Sequence, residues 1–485
     1  MSRSTKQISR GKENREKGMA LLVTALMLVF TIPIIGLAVD AGILWLVRAK
    51  MASACDAAAL ATARNLNLGL TLSEQTANAV ARGQAFFLAN FPAGTYGTTN
   101  VAPSITVAQS NLSTLTVSTS ASGNAPLYFM RYMGTNISLA GASGKASRRD
   151  VNVMLVLDQS GSMSGTPCSD MIAASKSFVG MFMNGRDTLG LITFSTGAQM
   201  PYPPNNNFKT NNALANKIDL VSCGGWTNSS YAYEKAYQQL VTINEPLALN
   251  LIVFFTDGNP TAFTASYPIK TVSDTRYGYS GGPCGATSTC TVSKSSCTDD
   301  VGKTPGQSGW GTFAPKSFVM AGSGSDWPMD PDTGNYLSSG FTSCNLNNYS
   351  SDYPYRRDLA YLPNTDTNGN AFTGYKSTST FSSGTYSGKL RVDDTTTMDS
   401  AAYNAAVSAA TTARNNATLN VVTYSIGLGS NGGVDADFLK RMSNDLASPT
   451  FDNTKAAGLY VYAPNSTDLN QAFARVASEI LRLAQ

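Results

Sequence analysis

Val151-Asn-Val-Met-Leu-Val-Leu-Asp-Gln-Ser-Gly-Ser162 is the stretch on which the organisation of this chain turns. Val151–Leu157 is a short, continuous apolar run, the pattern of a strand covered on both faces, and it stops at once in Asp158, Ser160 and Ser162. The segments downstream supply the cover. Amphipathic helices are expected over Asp170–Met183, Asn211–Leu220 and Tyr231–Thr242, with strands at Thr188–Phe194 and Leu249–Phe255. Such alternation predicts an α/β unit, a doubly wound and mainly parallel sheet with helices on both sides.

Between Thr264 and Thr395 the alternation stops, and Ser, Thr, Gly, Tyr and Asn dominate. It resumes with helix Thr397–Asn415, strand Leu419–Ile426, helix Ala436–Asn444, strand Leu459–Tyr462 and helix Asp468–Leu483. The reading is therefore one domain in two parts, 149–264 and 396–485, separated by an insertion at 265–395.

In a doubly wound sheet, sites form beyond the carboxyl ends of the strands. Three segments belong there: Asp158-Gln-Ser-Gly-Ser162, Gly224-Gly-Trp-Thr-Asn228 before the third helix, and Thr256-Asp-Gly258 after the strand at 249–255. Together they resemble the metal-ion-dependent adhesion site of von Willebrand factor A (vWA) domains, which have a Rossmann-like fold. The resemblance implies that Asp158, Ser160, Ser162, Thr227 and Asp257 hold Mg²⁺ or Mn²⁺, with Ca²⁺ ranking below them. Mg²⁺ takes about six oxygens near 2.0–2.1 Å and gives up water reluctantly. Three neutral hydroxyls leave such an ion under-neutralised, so one open position can accept a carboxylate from a protein ligand. Against this stands the plainer reading that the serines only cap a helix and Thr256-Asp257-Gly258 only turns.

Composition removes other functions. The chain of 485 residues contains no histidine, which excludes imidazole ligands and any Ser-His-Asp triad, so no enzyme is expected. With 14% charged residues and a formal net charge of +4, there is no nucleic-acid footprint. Part of the basic excess is local, in Arg3, Lys6, Arg10, Lys12, Arg15 and Lys17. These precede 21 uncharged residues, Met19–Val39, long enough to cross a bilayer. Asp40 ends the uncharged run, and Arg48 and Lys50 provide a polar exit. A basic tail at 1–18 and a membrane helix at 19–47 predict a cytoplasmic N-terminus with the rest extracytoplasmic, in the periplasm or at the cell surface.

Gly18-Met-Ala-Leu-Leu-Val, Gly36-Leu-Ala-Val-Asp40 and Asp56-Ala-Ala-Ala-Leu-Ala occur in an order that resembles the N-terminus of TadG-like proteins of Flp (tight adherence) pilus assembly, over roughly residues 14–66. The resemblance implies pilus or envelope partners. Pilins carry a glutamate five residues after the Gly at which they are processed, and Val23 stands there, which argues against cleavage at Gly18. A small α+β stalk is expected over 48–148, with a helix from the capping box Thr71-Leu-Ser-Glu74 to about Asn90 and strands at Ser104–Val107, Leu115–Ala121 and Asn136–Ala142.

Seven cysteines without a Cys-x-x-Cys pair point to disulfides rather than zinc, with Cys55 the odd one out. Cys168 and Cys223 both flank loops of the metal motif and are expected to pair. Cys284, Cys290, Cys297 and Cys344 in the insertion allow three connectivities. Also in the insertion, Asn364-Thr-Asp-Thr-Asn-Gly369 opens like a calcium loop but has Tyr375 where the closing acid belongs, and Asp330-Pro-Asp332 is weaker still, so both read as solvated turns. Trp310, Trp327, Tyr353 and Tyr355 could anchor a partner or pack beneath the loops. The leading functional expectation is a membrane-anchored, pilus-associated or cell-surface protein that binds a protein ligand through a metal. The alternative is an envelope scaffold whose domain organises machinery without touching an external surface.

Overall fold

A computed structural model describes residues 8–111, 113–268, 271–272, 274–277, 289–292, 308–313, 332, 360–366, 369, 371–391, 394–429 and 433–484. The chain divides into two compact units, one of residues 1–69 and 73–148, the other centred on 149–484.

In the first unit, helix α1 (Ile8–Arg64) runs unbroken through the expected boundary at 47/48, with Pro33 inside it. Its first part, from Met19 to Val39, leaves large apolar side chains exposed, and Met19–Arg64 is a candidate membrane span. Its second part is the core of the unit: Val47, Met51, Ala54, Cys55 and Ala58 pack with Phe87 and Phe91 of α2 (Leu72–Asn90) and with the sheet. Small side chains let neighbours approach closely. A Cβ on Gly83 of α2 would run into Thr62, and one on Gly144 would come within 2.5 Å of Asp56 Oδ1.

The sheet joins β1 (Thr99–Asn111), β2 (Thr114–Pro126) and β3 (Ile137–Arg149) as an antiparallel meander. All three strands are longer than expected. β2 alternates buried and less buried positions along its length, but beyond Leu115 and Val117 its buried face carries only Thr119, Ala121, Gly123 and Ala125, so the apolar contrast fades along the strand.

The second unit is built on a sheet of six strands in the order β13-β12-β7-β4-β5-β6. Five are parallel: β4 (Val151–Asp158), β5 (Thr188–Phe194), β7 (Leu249–Thr256), β12 (Val422–Leu428) and β13 (Leu459–Ala463). The expected doubly wound fold is present. Alternate residues of the central strands enter opposite cores, as a period of two requires. Val153, Leu155 and Leu157 of β4 and Leu251, Val253 and Phe255 of β7 meet α3 (Thr166–Gly180), α4 (Ala213–Ile218) and α8 (Leu469–Leu483). Met154, Val156, Ile252 and Phe254 point the other way, to α5 (Ser229–Ile243), α6 (Thr395–Arg414) and α7 (Ala436–Ser443). Asn152 and Asn250 interrupt the apolar pattern, and their amides pair across β4 and β7 at 3.0 Å.

Three differences from the sequence reading have physical causes. α3 starts at Thr166 rather than Asp170, with Pro167 in the first turn, where its missing N–H costs nothing. β12 starts at Val422 rather than Leu419 because Asn420 adopts a left-handed conformation (φ 48°). The edge strand β6 (Ala198–Asn205), antiparallel to β5, was not expected at all. It carries Pro201, Pro203 and Pro204, residues a central strand excludes but an edge strand tolerates.

Within the insertion, β8 (Phe263–Pro268) pairs with β11 (Ser308–Phe313) and β9 (Asp274–Tyr277) with β10 (Thr289–Val292). Leu362, Phe372, Phe381 and Leu390 pack with Phe263, Met398, Ala401, Ala402 and Ala405 in a small separate core over α6. The Asn364–Gly369 segment turns with a Gly369 N–H to Asp366 O bond of 3.0 Å, while Thr367 and Asn368 lie outside the described residues. So do Arg3, Lys6, Cys284, Cys297, Trp327, Asp330, Cys344, Tyr353 and Tyr355, as well as the side chains of Arg10, Lys12, Arg15, Lys17, Cys290 and Trp310.

Candidate metal centre

β4 and β7 lie side by side and in register, Leu157 opposite Phe255, so their last residues emerge together at the same end of the sheet. Asp158 and Asp257 are thereby brought to one place, both almost completely buried. After Asp158 the chain makes a tight turn in which the Ser160 N–H donates to Asp158 Oδ1 at 2.7 Å. Ser160 and Ser162, two residues apart, share a hydrogen bond of 3.1 Å between their hydroxyls, and Ser162 Oγ donates to Asp257 Oδ1 at 2.7 Å. Four of the five expected residues thus form one connected group of oxygens.

Thr227 reaches the same end of the sheet through backbone contacts. The loop before it is tied to the Asp158 turn by Gly224 N–H to Gln159 O (2.7 Å) and Gly161 N–H to Gly225 O (2.9 Å). Gly225 has φ 92°, and a Cβ there would approach Thr196 Oγ1 to 2.8 Å, so both its conformation and its space call for glycine. The Thr227 N–H donates to Thr261 Oγ1 at 3.1 Å, and Thr227 O accepts from the N–H groups of Thr261 (3.0 Å) and Ala262 (3.2 Å). Asn228 then caps α5, and its amide reaches Thr196 O at 3.0 Å and Thr264 Oγ1 at 2.8 Å. Three separate segments are stitched together around one point.

The disulfide belongs to the same construction. Cys168 and Cys223 are bonded, and Cys223 immediately precedes the glycines that hold the Asp158 turn. Ser164 Oγ donates to Cys223 O at 3.3 Å. Cys55 is a buried free thiol.

The electrostatics define what the group suits. Burial first, and the facing Asp257 second, push the Asp158 carboxyl up to about 7. What opposes them at Asp158 is hydrogen bonding, from Ser160 and from Thr256 Oγ1, which donates to Asp158 Oδ2. Two carboxylates and two hydroxyls, all oxygen and without nitrogen or sulfur, match the preference of a hard divalent cation, which would relieve the repulsion between the acids.

Thr256 is the residue that the motif reading passed over. The sequence places it in a turn, whereas its hydroxyl orients Asp158; a polar side chain closing the apolar run Leu251–Phe255 is the signal the sequence offers. Asn228 and Thr261 likewise act as supports rather than candidate ligands.

Residues 153–259, which include all five candidate ligands, match the von Willebrand factor type A domain, and residues 18–65 match the putative Flp pilus-assembly TadE/G-like family. The chain carries a vWA domain behind a TadE/G-like segment. A comparison with curated proteins gives no match. Among solved structures, the chain is similar to the vWF domain of the type V pili tip protein Mfa5 from Porphyromonas gingivalis, with 17% identity, 70% of this chain and 98% of that chain covered, and a TM-score of 0.37. It is also similar to a von Willebrand factor type A protein from Catenulispora acidiphila (9% identity, 79% and 50% covered, TM-score 0.33), of which it spans half the length. A third is the PilB minor pilin from Streptococcus sanguinis (13% identity, 80% of each covered, TM-score 0.35).

Proposed function

We propose that this is a membrane-anchored, pilus- or envelope-associated binding protein. Its vWA domain holds Mg²⁺ or Mn²⁺ through Asp158, Ser160, Ser162, Thr227 and Asp257 and engages a protein ligand that offers a carboxylate to the metal. The observation that carries this reading is the hydrogen-bonded chain from Ser160 through Ser162 to Asp257, beside the buried Asp158. Those side chains come from separated parts of the sequence, converge at the carboxyl end of a parallel sheet and include two acids that repel each other. Helix capping alone would not bring Asp257 to the serines. The pilus association is supported by the TadE/G-like match over 18–65, and the anchor by the apolar length of α1. The six basic residues before the span support a cytoplasmic N-terminus.

A bound cation supplies charge and an open coordination position. The chain's own residues orient it: Thr256 and the Ser160 N–H fix the Asp158 carboxylate, and the Gly224–Gly225 loop fixes Thr227. Titration of the full-length protein in detergent with Mg²⁺ and Mn²⁺ tests the reading. The wild type is expected to bind one ion at this site and Asp158→Ala none, and equal affinity in the two would sink the assignment.

A further inference from the structure

The first unit contains a buried acid that the metal centre does not use. Asp40, at the end of the uncharged run, is only 1% exposed. Its Oδ1 accepts from the N–H groups of Tyr128 at 2.8 Å and Phe129 at 3.1 Å, and its Oδ2 from Phe129 at 3.1 Å and Met130 at 2.8 Å. One helical turn earlier, Gly36 lies against the Phe129 ring, so close that an added Cβ would run into it. Gly36 and Asp40 therefore form a socket that holds the turn between β2 and β3 against α1 at the level of residues 36–40.

That level coincides with the edge of the apolar span. At about 1.5 Å per residue, Met19–Val39 extends roughly 31 Å, the thickness of a hydrocarbon core. The turn and the first residues of β3 point their apolar side chains outward: Tyr128 is 51% exposed, Tyr132 81%, Met133 67%, Ile137 54% and Leu139 66%. Seven of its N–H groups are bonded from within, Leu127 to Asn136 O, Tyr132 to Phe129 O, Gly134 to Arg131 O and Thr135 to Met130 O, together with the three that Asp40 takes. Outward apolar groups with internally bonded amides are what a segment needs to enter a poorly hydrated layer. Tyrosine prefers the membrane boundary, as does tryptophan, and Trp45 on α1 is 69% exposed. The Arg131 guanidinium lies 5.4 Å from the Tyr132 ring centre, where it can meet lipid phosphate.

We propose that the turn 127–139 docks into the interfacial layer of the bilayer at the C-terminal end of the α1 span, with the Gly36–Asp40 socket setting its depth. The occupant of this surface is lipid, because the apolar surface of the turn continues that of α1 at the same level, where Ile35, Leu37 and Val39 are exposed. The inference rests on α1 crossing the membrane.

Spin labels on the full-length protein in phosphatidylcholine–phosphatidylglycerol nanodiscs provide the test. Met133→Cys probes the turn, Leu37→Cys the helix and Ser110→Cys the opposite end of the sheet, with the parent chain labelled as background. Met133 and Leu37 are expected to be reached by oxygen in preference to a water-soluble nickel chelate, and Ser110 by the chelate. Adding Asp40→Ala is expected to move the Met133 label toward the chelate and leave Leu37 in lipid. If Met133 behaves like Ser110 while Leu37 remains in lipid, the turn is not docked and the proposal fails although the span stands. If Leu37 itself is reached by the chelate, the span fails. Protection of Met133 from both reagents would mean that protein covers the turn, which also overturns the proposal.

Discussion

Asp40 and Asp158 are both carboxylates with almost no exposed surface, yet their surroundings assign them opposite tasks. Asp40 is surrounded by donors: three backbone N–H groups of one turn converge on it, so its charge is met within the chain and the residue acts as a lock. Asp158 faces a second buried acid, and the donors it has do not offset burial and repulsion, since its carboxyl is pushed up to about 7. A buried acid with donors in hand is structural, whereas one opposed by another acid and ringed by hydroxyl oxygens is a place for a cation. Burial alone does not separate the two.

The largest effect that can break this contrast is on metal binding. Asp158→Ala is expected to abolish Mg²⁺ binding, read by calorimetry on the full-length chain in detergent, while the thermal transition of the metal-free protein stays in place or rises. A collapse of the fold would place Asp158 with Asp40 as a structural residue. Asp40→Ala should do the converse, leaving Mg²⁺ affinity unchanged and exposing the 127–139 turn to limited proteolysis.

The pH response sharpens the same point. Because the folded carboxyl of Asp158 lies near 7, above its ordinary 3.8, the native state holds a proton that the unfolded chain has lost between those values. Metal-free stability is therefore greatest at low pH within that window and is lost as pH rises through about 7. Glu234, raised to about 7 by burial and then by Asp366, acts in the same direction. The diagnostic quantity is accordingly the part of the decline in melting temperature between pH 5.5 and 8 that Asp158→Asn removes, and saturating Mg²⁺ should remove a similar part. A decline that neither affects would mean that Asp158 is ionised in the metal-free protein.

Much of this is legible in the sequence itself. The strand at Thr188–Phe194 falls where the apolar run put it, and the five candidate ligands are at one end of the sheet because the order of strands and helices dictates that end. The disulfide could be anticipated because both cysteines flank loops that must converge. The failures also have causes. β6 was hidden by its prolines, and the full length of β2 and β3 by small residues such as Ala121, Gly123, Ala140 and Gly144 on the more buried face, which weaken the contrast that a period of two needs. Thr256 reads as a turn residue because sequence does not say which way a hydroxyl at a strand end points. Asp40 reads only as the end of an apolar run, since its partners lie about 90 residues away and are backbone groups that carry no side-chain signal.

The disulfide gives the next largest effect. Cys168 and Cys223 close a loop 55 residues long, and their replacement by serine should cost about 2–4 kcal/mol of stability. The Gly224–Gln159 bond lies directly beside Cys223, so Mg²⁺ affinity should also fall several-fold. Chemical denaturation and calorimetry on the double variant measure both, and a loss of stability without any loss of affinity would separate the bridge from the site.

The smallest effect tests the finest distinction, whether Thr256 orients Asp158 or merely fills space. Thr256→Val keeps the shape and the β-branched strand preference but removes the hydroxyl that donates to Asp158 Oδ2. One hydrogen bond to a carboxylate is worth about 1.5–3 kcal/mol, and the loss would be shared between free and metal-bound states, so an affinity decrease of roughly tenfold or less is expected. Thr256→Ser, which retains the hydroxyl and gives up the methyl group, should restore most of the affinity while being the less stable of the two in a strand that is buried on both faces. Affinity that follows the hydroxyl and stability that follows the methyl would assign the two parts of this side chain separate roles. If instead both properties follow the methyl group, Thr256 supports the strand alone, and the orientation of Asp158 rests on the Ser160 N–H.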